Sequence, residues 1–103
     1  MGENDFSLAV EPAANGTVVW VTGELDMDTS AQLEECLNIL DGAPITVDFS
    51  ALTFMDSSGI AAISTALKHA AQQGSKFAVR GVQPNQWRLL EIVGLAEQLN
   101  VDT

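Results

Sequence analysis

Positive charge is the scarcest property of this chain. Four Lys and Arg residues stand against fourteen Asp and Glu, a formal net charge of −10 over 103 residues. Such a surface repels phosphate backbones and anionic headgroups, which disfavours direct binding of nucleic acid or insertion at a membrane surface. The single cysteine, Cys36, excludes an internal disulfide and a cysteine-based zinc cluster. Its place in "LEECLNIL" reads as a small core residue. His69 is also alone, so a His-based metal site or a Ser-His pair lacks its second member. Long apolar runs are missing, and "MGENDFSLAV" has neither a basic region nor a long apolar core. No membrane span and no signal peptide are expected, and a cytoplasmic location follows. The chain also lacks a Gly-rich phosphate loop and a G-x-S-x-G nucleophile elbow.

What is present is apolar enough to fold. At 47% hydrophobic residues, a chain of this length is expected to form one domain over residues 1–103, with a core spanning about 6–101, needing no disulfide, metal or cofactor. "FSLAV" and "NGTVVWVTG" read as two strands, antiparallel across the short turn "EPAANG". In "DTSAQLEECLNILDG", Leu33, Leu37 and Leu40 recur at helical spacing, Thr29 and Gln32 have the form of a capping box, and Gly42 supplies a stop. "PITVDFS" alternates Ile45, Val47 and Phe49, a third strand ending near Ser50 and running parallel to its neighbour. After the connection "ALTFM", Ile60, Ile63 and Leu67 mark a second helix that stops at Gly74. "KFAVRGV" is a fourth strand, and "PNQWRLLEIVG" is a third helix opened by Pro84 and closed at Gly94. The tail "LAEQLNV" is expected to lay Leu95, Leu99 and Val101 on the core. The result is an α/β fold, a mixed four- to five-stranded sheet packed by three to four helices.

Two segments could carry chemistry. In "FMDSSGI", Asp56 sits where an N-cap carboxylate would accept the first amides of the second helix, which alone explains the motif. The same geometry admits another reading. A hydroxyl on the first helical turn faces solvent, and a phosphate there meets the positive end of the dipole while adding about two negative charges. In "TGELDMDTS", Asp28 and Thr29 compete to cap the first helix, with Glu24 and Asp26 as solvated loop acids. The rival, a divalent-metal site or a receiver-type aspartate, needs a neutralising lysine that this stretch does not supply. Trp20, within "VVWV", is a sheet residue, and Trp87 is either core or open to a partner.

Taken together, "VTGELDMDTSAQLEECL", "ITVDFSALTFMDSSGIAAISTALKHAAQQGSKFAV" and "QPNQWRLLEIVGL" resemble the STAS domain of bacterial anti-sigma factor antagonists, over about residues 6–101. The resemblance implies a regulatory docking module without enzymatic activity. It makes Ser57 the phosphate acceptor, with Ser58 the alternative, and places Glu24, Asp26, Asp56, Ser57, Ser58 and Gly59 on a partner-binding surface. The implied partners are an anti-sigma factor that is itself a serine kinase of the histidine-kinase-type ATPase fold, and a metal-dependent phosphatase of the PP2C class. The unphosphorylated domain binds the anti-sigma factor; phosphorylation releases it. Where relatives read Leu-Gly after "SSG", this chain has Ile60-Ala61. Related STAS domains of this size serve instead as subunits of a phospholipid-trafficking ABC transporter, or beside chemotaxis and two-component proteins. The intact serine pair favours the switch branch.

Overall fold

The computed structural model describes residues 6–40 and 43–101. Strands β1 (Ser7–Ala13) and β2 (Gly16–Leu25) form an antiparallel hairpin. Helix α1 (Met27–Ile39), β3 (Ile45–Met55), α2 (Ser57–Gln72), β4 (Phe77–Arg80) and α3 (Pro84–Ile92) follow, then a single 3-10 turn, Ala96–Gln98, and the two-residue strand β5 (Asn100–Val101). The sheet order is β1-β2-β3-β4-β5, with every pair after the first parallel. The strands step along the sheet in one direction, and right-handed crossovers therefore carry the helices to one face.

That face is the core. Val19 and Val21 from β2, Val47 and Phe49 from β3, and Phe77 and Val79 from β4 meet Leu33 and Leu37 of α1, Ala62 and Ile63 of α2, and Leu90 of α3. Leu95 and Leu99 close it from the tail as expected, whereas the packing expected of Val101 lies outside the described side chains, as does the stop at Gly42. Strand β1 lies at the sheet's edge: Phe6 and Leu8 are only half-buried and Val10 is 47% exposed. Cys36 is half-buried against the core, and burial raises its thiol pKa, as befits a packing residue.

Two boundaries differ from the sequence reading. Helix α1 starts at Met27, with Asp26 as its N-cap and Thr29 at the third helical position. The box is therefore Asp26 with Thr29, not Thr29 with Gln32. Strand β3 does not stop near Ser50 but runs on through "ALTFM" to Met55. Its alternation breaks because the pairing with β2 slips between Trp20 and Thr22 and again between Gly23 and Glu24, so that β3 carries extra residues opposite β2. Two bulges disguise a strand as a loop.

The opposite face of the sheet carries a polar ladder. Trp20, Asp48 and Arg80 are direct register partners on β2, β3 and β4. Arg80 Nε donates to Asp48 Oδ2 at 2.7 Å, its guanidinium lies 4.9 Å from the centre of a Trp20 ring, and Trp20 Nε1 donates to Glu11 Oε1 at 2.8 Å. Asp48 is 4% exposed. Burial alone would raise its pKa, but hydrogen bonds from Ser50 and Arg80 outweigh that and hold the carboxyl below its ordinary value. The chain thus fixes the register of neighbouring strands with side chains as well as backbone.

Candidate functional site

Strands β2 and β3 end level with each other, Leu25 opposite Met55, and both of these residues are buried. Each strand passes at once through an aspartate into a helix, so α1 and α2 begin side by side at the carboxyl end of the sheet, where open α/β sheets place their sites. The Asp56 N–H donates to the Leu25 carbonyl at 3.2 Å and the Thr53 hydroxyl to the Gly23 carbonyl at 3.1 Å, which ties the two strand ends together.

At the start of α1, Asp26 Oδ1 accepts from the Asp28 and Thr29 amides at 3.0 and 3.1 Å. The Thr29 hydroxyl accepts from the Asp26 N–H at 2.8 Å and donates to the Glu24 carbonyl at 2.7 Å. The box is reciprocal and closed. The backbone N–H of Thr29 is the largest influence in holding the Asp26 carboxyl below its ordinary pKa. The expectation that Asp26 is a solvated loop acid is corrected here: its carboxylate satisfies helix amides that otherwise have no partner.

At the start of α2, Asp56 caps the helix as expected. Its Oδ1 accepts from the Ser58 amide at 2.8 Å and the Gly59 amide at 3.4 Å. Gly59 has no side chain to reach back, so this cap is one-sided. Ser57, the first helical residue, is exposed, and its hydroxyl has no hydrogen-bond partner among the described residues. Ser58 and Asp56 are half-buried, as are Glu24 and Asp26 on the neighbouring strand end.

Gly59 departs from its expected place on the surface. It is buried, and a Cβ there would lie 2.7 Å from Met55 Cγ and 2.9 Å from Leu25 Cδ2. The missing side chain lets α2 settle on the two strand ends. Among the described residues no three His, Cys, Asp or Glu side chains gather into a metal-binding group, and no helix is long and apolar enough to cross a membrane.

Two glutamines complete the support of the site and have no signal in the sequence. Beyond Arg80 the chain leaves the sheet at Gly81, with φ +69°, where a Cβ would strike the Ser50 hydroxyl. The free length of β3 that follows is held from α3: Gln83 and Gln86 donate from Nε2 to the Leu52 carbonyl at 2.8 and 3.3 Å. Gln86 is 2% exposed, an unusual depth for an amide that its two hydrogen bonds explain.

The family model described as "Mlab, STAS domain" matches residues 8–101. The chain belongs to the STAS-domain family. An anti-sigma-B factor antagonist of Staphylococcus aureus is 36% identical over 87 residues, covering 82% of this chain and 81% of the relative. Among solved structures, an anti-sigma factor antagonist from Mycobacterium paratuberculosis superposes with a TM-score of 0.85 at 24% identity, covering 97% of this chain and 87% of the other. The Bacillus cell fate determinant SpoIIAA in its phosphorylated form gives a TM-score of 0.74 at 22% identity, covering 94% of this chain and 92% of the other. The STAS fold of these antagonists is thus the fold described above, and the named relatives of this STAS domain are regulators that act on anti-sigma factors.

Proposed function

We propose that this STAS domain is the phosphoswitch of a partner-switching cycle. The unphosphorylated form docks onto an anti-sigma factor that is also a serine kinase, and so frees that factor's target. The kinase transfers the γ-phosphoryl group of ATP to Ser57, with the hydroxyl proton lost and ADP leaving; a phosphatase of the PP2C class hydrolyses the phosphoester and resets the domain. The observation that carries this reading is Ser57 itself, exposed at the first position of α2, its hydroxyl without a hydrogen-bond partner among the described residues.

The surroundings explain why a phosphate there works as a release signal. Asp56 already occupies the Ser58 and Gly59 amides, so an added phosphoryl group meets one remaining first-turn N–H and the helix dipole. The fold tolerates it. A docked partner must accommodate a bulky dianion of about two negative charges at a contact shaped for a small hydroxyl, and the steric clash and the cost of stripping water from that dianion drive release. Ser58, half-buried, is the less accessible hydroxyl, and Glu24, Asp26 and Asp56 supply the acidic surround of the docking surface.

The test is incubation with the anti-sigma factor kinase of the same organism and ATP, followed by intact mass. The wild-type domain gains one phosphate and Ser57→Ala gains none, with its thermal midpoint unchanged. Phosphate uptake by Ser57→Ala at the wild-type rate would show that Ser57 is not the acceptor, and a stable complex with a transporter ATPase indifferent to both serines would point to the transporter branch instead.

A further inference from the structure

We propose that Met27 and Phe54 are the apolar anchors of the docking surface, and that the partner meets them with an apolar depression bordered by lysine and arginine. The inference rests on the docking reading above and names the partner chemistry that it requires. Met27 is 76% exposed and Phe54 48% exposed, large side chains in water for which the fold itself has no use. Both stand beside the switch. Phe54 pairs with Glu24 across β3 and β2; the next residues on each strand, Met55 and Leu25, are buried in the core, so Phe54 and Glu24 face the other way. Met27 occupies on α1 the position that Ser57 occupies on α2, the first helical residue after the capping aspartate, at the same carboxyl end of the sheet.

The charge at this end has one sign. Glu24, Asp26, Asp28 and Asp56 lie in the same two strand-to-helix junctions as the anchors, whereas Lys68 lies near the far end of α2, Lys76 precedes β4 at the opposite edge of the core, Arg80 is bound to Asp48, and Arg88 is exposed on α3. Exposed apolar residues among acids suit an interface centre with a polar rim, and the complement is an apolar pocket with a cationic border. A phosphate on Ser57 would then crowd a contact shaped for a hydroxyl and add the desolvation of a dianion, a cost the apolar centre of the interface does not offset.

Ile39 provides an internal control, because it is 78% exposed at the opposite end of the same helix. Affinity for the purified anti-sigma factor of the same organism would be measured by calorimetry for the wild type, Met27→Ser, Phe54→Ser and Ile39→Ser. Each anchor substitution is expected to weaken binding about tenfold or more, and Ile39→Ser to leave it within about twofold. The association rate is expected to fall as salt rises from about 50 to 500 mM. Circular dichroism of all three variants should match the wild type, since each changed side chain is exposed. If the wild type binds and both anchor variants bind equally well, or if Ile39→Ser is as damaging, the anchors are misassigned. A salt-independent association rate would overturn the cationic border. If the wild type does not bind at all, it is the docking reading that fails, and the anchors fall with it.

Discussion

The two helix starts at the carboxyl end of the sheet are built to one plan and finished differently. Each follows a buried strand-end residue, Leu25 or Met55, and each is capped by an aspartate whose Oδ1 takes two first-turn amides. At α1 the third helical residue is Thr29, whose hydroxyl returns to the cap backbone and closes the box. At α2 the third residue is Gly59, which closes nothing and instead lets the helix sit against Leu25 and Met55. The first helical residue is Met27 in one case and Ser57 in the other. The difference is one of closure: the same cap geometry is locked by a threonine hydroxyl where an apolar side chain is displayed and left one-sided where a serine hydroxyl is.

The sharpest way to break this comparison is to give α2 a side chain where α1 has one. Gly59→Val forces a Cβ to within contact of Met55 and Leu25 and should cost about 2–3 kcal/mol in chemical denaturation, pushing α2 off the strand ends; a neutral result would show that α2 is not seated by its glycine. Next in size, Thr29→Val keeps the shape but removes the hydroxyl of the α1 box, with an expected loss of about 1 kcal/mol. The smallest effect is a change of slope. The Asp26 carboxyl is held below its ordinary pKa, so its charged form favours the folded state; that contribution is present above its unfolded value and drains away as pH falls through the folded one. Asp26→Asn, which still caps, should therefore match the wild type more and more closely as pH drops from about 5 to 2, as read by thermal midpoint. A constant gap between the two across that range would mean that the Asp26 charge does not matter to the cap.

Much of this was legible because it depends on local rules. The hairpin, the leucine spacing of α1, Pro84 at the start of α3 and Asp56 as a cap each follow from a few adjacent residues. The site's two motifs identified the family from the same short stretches. What sequence could not supply depends on partners far along the chain. The extension of β3 to Met55 was hidden because bulges opposite β2 destroy its alternation. Spacing alone offers Asp28 and Thr29 as the caps of α1, and only the end of β2 and the Thr29 hydrogen bond to the Glu24 carbonyl make Asp26 the cap. The glutamine clamp from α3 to Leu52 joins residues more than thirty positions apart, and Gln83 and Gln86 look like ordinary surface residues until β4 is seen to stop short. The motif alone implies a surface place for Gly59; its burial follows from how closely α2 packs on Leu25 and Met55.

The central claim is that the open start of α2 is a switch, and it is tested most directly by comparing two forms of one protein. Domain carrying a stoichiometric phosphate on Ser57 and the unmodified domain would be titrated by calorimetry into the anti-sigma factor of the same organism. The account predicts tight binding of the unmodified form and at least about a hundredfold weaker binding of the phosphorylated one, with the fold unchanged by circular dichroism. Equal affinity of the two forms would contradict it.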